Sequence, residues 1–397
     1  MTMRLDGDTQ VGVIGAGAMG TGIAQVAAAG GHRVVLGDAA EGAAQRAQAN
    51  IARAMDREVQ KGRIARDAAD ELMSRIEFQW EPLRALGGYG DCGLVIEAVV
   101  EDLVVKRSLF KALEASVDRE AVLATNTSSL SVASIAAACD ASYRVAGLHF
   151  FNPAPVMPLV EIVPWLGGDP VVASASFALI SRWNKTPVLA TDTPGFIVNR
   201  VARPFYGEAL RLLDEGVADC ATIDWAMKEL GGFRMGPFEL MDFIGNDVNF
   251  AVTRSVYEGM FYDPRYKPSL TQQRMVDAGF LGRKSGRGYY DYRSDAPKPE
   301  PTKEPTTGLL IFERVLAMLI NEAVDAVLMR VASPEAIDLA MTKGVNYPKG
   351  LLAWANELGL ARVLGWLERL QAEYGEDRYR PSPLLRRMVA DDRRFFQ

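Results

Sequence analysis

The chain has 397 residues, of which 49% are hydrophobic and 24% are charged, and its formal net charge is −6. This length predicts two or three domains with the composition of an ordinary globular protein. The negative balance gives no reason to expect nucleic acid or an anionic membrane surface as a partner. No apolar run approaches the roughly 20 residues that a transmembrane helix needs.

The cysteines and the N-terminal residues give no sign of an exported protein. The three cysteines are scattered and not at ligand spacing, which predicts neither a disulfide framework nor a metal site. A polar stretch of ten residues leads straight into a strand-like run, so no secretory signal is expected. We therefore expect a soluble cytoplasmic protein.

A glycine-rich turn follows the first apolar run. Val11–Ile14 reads as a strand, Gly15-Ala-Gly-Ala-Met-Gly20 comes next, and a helical pattern begins near Thr21. The first glycine permits a tight turn, the second lets backbone approach a pyrophosphate, and the third allows close helix–strand packing. The helix N-terminus offers free amides to the phosphates. We expect the turn to bind a dinucleotide through Gly15, Gly17, Ala18, Met19 and Gly20.

An acidic residue ends the second predicted strand. His32–Gly37 reads as that strand, and Asp38 lies about twenty residues beyond the glycines. An acid at this place accepts hydrogen bonds from the ribose hydroxyls and repels a 2′-phosphate. No arginine follows to welcome that phosphate, so the sequence favours NAD over NADP. We interpret His32 as a turn residue without a chemical role.

The same half continues as alternating strands and helices, which predicts a mostly parallel sheet covered on both faces. Leu94–Ile96 and Val122–Ala124 are short strands, each leading into a polar segment. The first segment contains Glu97, Glu101 and Lys106; the second is Asn126-Thr-Ser-Ser129. Ligands of such sheets bind beyond the carboxyl ends of the strands, so these segments lie on the expected edge.

His149 and Glu161 form the most informative pair. Val145–Leu148 reads as a strand, His149 follows it, and a proline-rich loop leads to a second apolar run that contains Glu161. A returning strand would bring the carboxylate to the imidazole, fix its tautomer and make it a general base. The competing interpretation is a buried histidine satisfied by a backbone carbonyl.

The C-terminal half contains an internal repeat. Segments from Asn199 to Met275 match segments from Glu313 to Met388 at an offset of 114, later 113. A stretch rich in proline and charge lies between the copies and predicts a linker. We expect an α/β Rossmann-like domain (residues 1–190), a first helical domain (191–293), a linker (294–306) and a second, degenerate helical domain (307–397). We expect the later copy to be structural, because Glu313 replaces the polar Asn199.

With these residues assembled, the chain resembles the L-3-hydroxyacyl-CoA dehydrogenases over essentially its whole length. The resemblance rests on the glycine turn, on His149-Phe-Phe-Asn-Pro-Ala-Pro and on four further segments. These are Asn126-Thr-Ser-Ser129, Pro194-Gly-Phe-Ile-Val-Asn-Arg200, Met235-Gly-Pro-Phe-Glu239 and Gly282-Arg-Lys-Ser-Gly286.

The resemblance implies roles for single residues. It makes His149 the base, Glu161 its orienting partner, and Ser128 and Asn199 the groups that hold the reacting oxygen. It implies NAD contacts for Asp38, Glu101, Lys106, Asn152 and Lys284, and coenzyme A contacts for Lys61, Lys106 and Ser128. Lys61 by itself fits a solvated charged helix face equally well. Ala54 stands where some family members place a serine that helps hold coenzyme A.

Finer resemblance points to the phenylacetate-catabolic branch, whose members act on 3-hydroxyadipyl-CoA. It rests on Asn199-Arg-Val-Ala-Arg-Pro-Phe-Tyr206, Gly245-Asn-Asp-Val-Asn-Phe-Ala251, Asn346-Tyr-Pro-Lys-Gly350 and Asp377-Arg-Tyr-Arg-Pro-Ser-Pro383. 3-Hydroxybutyryl-CoA stays open as the substrate. Two other interpretations are a dehydrogenase of a non-CoA hydroxy acid and a non-catalytic dinucleotide-binding protein. The resemblance implies that relatives with one helical copy pair across a dimer interface, which leaves two expected assemblies open here: a homodimer, or a monomer whose second helical domain replaces the dimer partner. A terminal carboxylate would need a cation, for which Arg203, Arg234, Arg265 and Lys267 are candidates.

Overall fold

An eight-stranded sheet forms the centre of the N-terminal half in the computed structural model, which describes residues 5–79 and 86–396. Its strands are β1 (Val11–Ile14), β2 (Val34–Gly37), β3 (Ile76–Gln79), β4 (Leu94–Glu97), β5 (Val122–Thr125), β6 (Val145–Phe150), β7 (Leu159–Pro164) and β8 (Thr186–Leu189). The order is β3-β2-β1-β4-β5-β6-β7-β8, and all neighbours are parallel except β6 and β7. Buried apolar strands of this kind are typical of a sheet covered on both faces.

The helices of this half are α1 (Ala18–Ala29), α2 (Ala43–Gln60), α3 (Arg66–Ser74), α4 (Leu103–Glu114), α5 (Val132–Ala136) and α6 (Pro170–Arg182). Side chains cap several of them. The Asp102 carboxylate accepts from the Val105 N–H at the start of α4. Asp169 caps α6 in the same way, and Pro170 takes the first helical position there. The strand order reverses between β1 and β4. Sheets of this kind bind ligands beside such a reversal, beyond the carboxyl ends of the strands.

The C-terminal half is helical. Its helices are α7 (Val198–Val201), α8 (Arg203–Asp214), α9 (Cys220–Glu229), α10 (Pro237–Ile244), α11 (Asn246–Gly259), α12 (Leu270–Asp277), α13 (Pro305–Leu328), α14 (Pro334–Gly344), α15 (Leu351–Leu358), α16 (Leu360–Tyr374) and α17 (Pro383–Ala390). The chain divides into two compact units, residues 1–193 and 194–397. The predicted fold class, a Rossmann-like domain followed by helical structure, is therefore confirmed. The finer division into two helical domains and a linker stays a prediction, and residues 1–4, 80–85 and 397 of the predicted domains lie outside the described residues.

The repeat is visible as matching local structure. The Asp224 carboxylate accepts from two backbone N–H groups in the first turn of α10, both at 2.9 Å. Asp338, 114 residues later, accepts from two in the first turn of α15, at 2.8 and 2.9 Å. Gly236 and Gly350 leave room for these carboxylates, because a Cβ at either position would lie within 2.4 Å of the aspartate. Equivalent aspartates thus cap the equivalent helices α10 and α15 in the two segments.

The two copies also exchange buried ion pairs. Arg200 of the first copy donates from Nε to Glu322 of the second at 2.6 Å, and Arg314 of the second donates from Nε to Glu208 of the first at 3.0 Å. All four residues are buried. Arg314 and Glu322 are the repeat equivalents of Arg200 and Glu208. Such reciprocal contacts are the signature of a two-fold interface, here formed within one chain.

Candidate active site

His149 and Glu161 face each other across the antiparallel pair β6 and β7. They are direct register partners, and His149 Nδ1 lies 2.7 Å from Glu161 Oε2. Because a carboxylate only accepts hydrogen bonds, Nδ1 carries the hydrogen, and in the neutral imidazole Nε2 is then the nitrogen with the lone pair. The pairing predicted from the sequence is confirmed, and the alternative of a bond to a backbone carbonyl at Nδ1 is not what the structure has.

One detail of that prediction is wrong. His149 does not follow its strand but lies within it, because pairing with β7 extends β6 to Phe150. Both side chains are buried, with 5% of His149 and none of Glu161 exposed. The Phe151 ring lies 4.5 Å from the imidazole, centroid to centroid. Strand pairing therefore holds the two side chains next to each other and away from solvent.

The segments after β4 and β5 meet at one carboxylate. Glu101 Oε1 accepts from the backbone N–H of Ser128 at 2.9 Å and from the Thr127 hydroxyl at 2.6 Å. Burial raises the pKa of Glu101, but the charge of Lys106 and these hydrogen bonds outweigh it and hold the pKa below its usual value. The Ser128 loop and the Glu101 loop are thus joined around an ionised carboxylate.

Lys106 lies beneath this junction. Its ammonium pairs with Glu97 at 2.6 Å and with Glu101 at 3.2 Å, and only 1% of the side chain is exposed. The buried partner Glu97 also accepts from the Thr125 hydroxyl at 2.7 Å. The sequence places Glu97 at the ligand edge but does not reveal this role. Contacts of Lys106 and Glu101 with NAD, and of Lys106 with coenzyme A, stay predictions.

The glycine turn has the shape that a dinucleotide needs. Gly15 has a φ of 102°, and a Cβ at Gly20 would lie 1.7 Å from the Gly15 carbonyl oxygen, so both positions require glycine. A Cβ at Gly17 would meet nothing within 4 Å, which leaves the approach to the α1 N-terminus open. The Asp38 carboxylate accepts from the Ala16 N–H at 2.6 Å. The predicted ribose-binding acid therefore lies beside the predicted phosphate-binding turn, and the residues fit NAD.

The remaining predicted contacts occupy more exposed places. Lys61 follows α2 with 55% of its side chain exposed, 3.5 Å from Glu58. Asn152 is exposed and precedes a cis peptide bond to Pro153. In the second unit, Asn199 lies in α7 and is partly buried. Lys284 pairs with Asp247 at 2.6 Å. Their contacts with cofactor and substrate stay predictions.

Neither a metal cluster nor a membrane span occurs in the described part of the chain. Residues 5–79 and 86–396 contain no group of three or more histidine, cysteine, aspartate or glutamate side chains arranged to hold a metal ion. Within the same ranges, every helix is too short or too polar to cross a bilayer.

Comparison with known proteins identifies the class. A family model described as 3-hydroxyacyl-CoA dehydrogenase, NAD binding domain, matches residues 10–193. A second, the 3-hydroxyacyl-CoA dehydrogenase C-terminal domain, matches residues 195–292 and again 310–394. The chain belongs to the 3-hydroxyacyl-CoA dehydrogenase family, and its cofactor is NAD. The predicted family and cofactor are confirmed.

Individual relatives add detail. The chain is 39% identical to the 3-hydroxyadipyl-CoA dehydrogenase of Escherichia coli, over 95% of this chain and 96% of that protein. It is 41% identical to a 3-hydroxybutyryl-CoA dehydrogenase of Bradyrhizobium diazoefficiens, over 74% of this chain and 98% of that one. A crystal structure of a 3-hydroxybutyryl-CoA dehydrogenase from Escherichia coli superposes with a TM-score of 0.91 at 38% identity, covering 96% of this chain and 98% of the other.

Proposed function

We propose that this chain oxidises (3S)-3-hydroxyadipyl-CoA to the 3-oxoacyl-CoA with NAD, in the cytoplasm and as a step of phenylacetate catabolism. The buried His149–Glu161 pair at 2.7 Å carries the dehydrogenase part of the proposal. The adipyl part is supported by the relative of that name, which matches over 95% of this chain and therefore also spans the second helical copy. 3-Hydroxybutyryl-CoA is the second candidate, because the name of the superposed structure and the names of shorter relatives point to it.

His149 acts as the general base in this proposal. The Nε2 lone pair takes the proton of the C3 hydroxyl, and the Nδ1–H bond to Glu161 stabilises the imidazolium that forms. When bound, NAD supplies the acceptor for the hydride that leaves C3. Because both side chains are buried, water does not compete for the hydrogen bond between them.

Ser128 and Asn199 hold the reacting oxygen. Hydrogen bonds from a hydroxyl and a side-chain amide position the substrate hydroxyl and stabilise negative charge that develops on it. Glu101 orients the loop of Ser128 through the bond to its backbone N–H. Ser128 is thus anchored by its backbone at the edge of the sheet, where the family resemblance places the substrate.

Cofactor and carrier are held by two groups of residues that share Lys106. NAD is held by the glycine turn (Gly15, Gly17, Ala18, Met19, Gly20) and by Asp38, with further contacts from Glu101, Lys106, Asn152 and Lys284. Coenzyme A is held by Lys61, Lys106 and Ser128. Lys61 is well exposed, as a cation that attracts the phosphates of a mobile carrier should be.

We also propose that the helical half does not pair with a second molecule, because its two copies already pair with each other. The second copy supplies the partner residues that a two-fold interface requires, through Arg200–Glu322 and Glu208–Arg314. A homodimer through the same helical face would need Arg200 and Glu208 to pair with a second molecule, although Glu322 and Arg314 of the same chain already bind them.

The test is NADH formation by the purified protein with NAD and either (3S)-3-hydroxyadipyl-CoA or (3S)-3-hydroxybutyryl-CoA. A higher kcat/KM with the dicarboxylic thioester supports the proposed substrate, and the opposite ranking selects the butyryl ester. Turnover of free hydroxy acids alone would show that the substrate is not a CoA thioester. NAD binding without any turnover would make the protein a non-catalytic binder.

A further inference from the structure

Arg203 is a buried cation without an acidic partner. It opens α8 and is 6% exposed. Its Nε–H donates to the Asn199 carbonyl oxygen at 2.7 Å, and its Nη1 donates to the Thr253 hydroxyl at 3.0 Å and the Asn249 carbonyl at 3.4 Å. These acceptors are all neutral. Among the described residues, no carboxylate pairs with the guanidinium and no hydrogen bond leaves Nη2.

A guanidinium in these surroundings is costly. Removing a charge from water without an opposite charge is unfavourable by several kcal/mol, and most buried arginines recover this through a carboxylate. Here the Tyr206 ring, 4.9 Å from Cζ, offers only partial compensation. Burial accordingly lowers the pKa of Arg203 from its usual value. The environment favours binding of an anion to this group.

The other cations that could bind an anionic tail differ from Arg203. Arg265 already pairs with Asp263 and Asp325, and Arg200 pairs with Glu322. Arg234 and Lys267 are exposed, where water competes with any ligand. Arg203 is therefore the candidate that combines burial with unused donors.

The fold itself does not require an arginine at this place. The repeat equivalent of Arg203 is Ala317, a fully buried residue of α13. By contrast, the structural Arg200 is matched by Arg314, which forms the reciprocal ion pair. An arginine that serves one copy only is better explained by a ligand than by helix packing.

The position fits the proposed substrate. Arg203 lies one helical turn, about 5.4 Å, beyond Asn199, the residue proposed to hold the C3 oxygen. Three carbon–carbon bonds of about 1.5 Å separate C3 of a 3-hydroxyadipyl chain from its terminal carboxyl carbon. We propose that Arg203 binds the terminal carboxylate of a dicarboxylic acyl-CoA and so determines acyl-chain specificity. This inference rests on the proposed function, because it takes from it the place of Asn199.

The experiment compares (3S)-3-hydroxyadipyl-CoA with (3S)-3-hydroxyhexanoyl-CoA, which has the same chain length but no terminal carboxylate. In Arg203→Met, we expect the ratio of the two kcat/KM values to fall by at least about 30-fold relative to wild type, because a buried charge pair has been lost. Arg203→Lys keeps the charge without the planar fork and should give an intermediate ratio. Arg234→Met is the matched control and should keep the wild-type ratio.

Binding of adipyl-CoA and hexanoyl-CoA, which lack the 3-hydroxyl group and cannot react, separates this inference from the proposed function. Calorimetry should show a preference for adipyl-CoA that Arg203→Met removes. Loss of that preference in an enzyme that turns over neither hydroxyacyl thioester would keep the inference and refute the proposed function. An unchanged ratio in Arg203→Met, or a collapse in Arg234→Met, would refute the inference while leaving the dehydrogenase intact. Arg203→Lys decides the question if Arg203→Met does not fold.

Discussion

The His149–Glu161 distance is set by backbone pairing rather than by flexible side chains. Direct partners in an antiparallel pair have Cβ atoms about 5 Å apart, which suits a hydrogen bond between an imidazole and a carboxylate. A shift of one residue in the register would turn Glu161 to the other face of the sheet. The chemistry of the pair therefore depends on the accuracy of strand pairing.

We predict that His149→Gln lowers kcat by two orders of magnitude or more, in line with the usual contribution of a general base. The glutamine keeps a polar group opposite Glu161 but cannot take a proton. Steady-state kinetics with NADH detection measures the effect, and calorimetric NAD titration checks that the cofactor still binds.

His32→Gln is the matched control, since His32 is the only other histidine in the chain. Its Nδ1 lies 2.8 Å from the Thr9 carbonyl oxygen, in a purely structural contact. Turnover per folded molecule should stay close to wild type. Near-normal activity of His149→Gln would instead remove His149 from the mechanism.

The sequence predicts this pair, because His149 and Glu161 adjoin apolar runs on either side of a short loop. The sequence does not predict that Lys106 is buried or that it pairs with Glu97. That contact joins the end of β4 to a helix of the next crossover, and nothing in the spacing shows which carboxylate the ammonium will meet. The unpaired state of Arg203 is hidden for the same reason, as it depends on which residues of α11 lie beside α8.

At the scale of elements, the glycine turn separates folding from binding. Gly20 is required by packing, because a Cβ there would overlap the Gly15 carbonyl oxygen. Gly17 has φ −70° and ψ −171°, which any residue can adopt, and open space surrounds its Cβ position. Gly20 thus serves the fold, and Gly17 serves the ligand.

We predict that Gly17→Ala leaves the melting temperature of the cofactor-free protein within about 2 °C of wild type but weakens NAD binding at least about 10-fold. The added methyl group stands where the pyrophosphate approaches the backbone. Calorimetric titration with NAD and thermal unfolding measure the two effects. Gly20→Ala is the contrast, and it should lower the melting temperature as well. Unweakened NAD binding by Gly17→Ala would place the pyrophosphate elsewhere.

The sequence predicts these elements more accurately in type than in extent. Helix α1 begins at Ala18 rather than Thr21, because the glycine turn itself supplies its first residues. Strand β2 begins at Val34 rather than His32, whose ring is held by the Thr9 carbonyl before the strand starts. Such boundaries depend on neighbours in space that a linear pattern does not show.

At the scale of the whole molecule, the helical half reproduces a two-fold interface within one chain. The repeat predicts that two related helical segments exist, but not that their buried charges cross over. Glu208 and Glu322 also receive a tyrosine hydroxyl each, from Tyr379 at 3.0 Å and Tyr266 at 2.6 Å. Each carboxylate therefore accepts from one arginine and one tyrosine of the other copy.

We predict that a chain ending at residue 306 forms a homodimer. Without the second copy, Arg200 loses Glu322 and Glu208 loses Arg314. Pairing Arg200 of one molecule with Glu208 of another replaces both lost ion pairs. Light scattering coupled to size-exclusion chromatography measures the mass of the truncated and the intact chain.

Arg200→Glu in the truncated chain is the control, because it opposes two carboxylates across the new interface and should prevent dimerisation. A truncated chain that stays monomeric and fully active would contradict the interpretation of the second copy as a replacement for a partner.

Fusion of the two copies frees the interface from a constraint that every homodimer obeys. In a homodimer one gene encodes both sides, so any substitution appears twice and must be tolerated in both places. Here each side is encoded separately, and the copies have diverged at Asn199 and Glu313 and at Arg203 and Ala317. One side can thus bear an uncompensated cation for a ligand while the other keeps an apolar residue for packing. Mutational scanning of this chain should accordingly find unequal tolerance at equivalent positions, which no symmetric dimer could display.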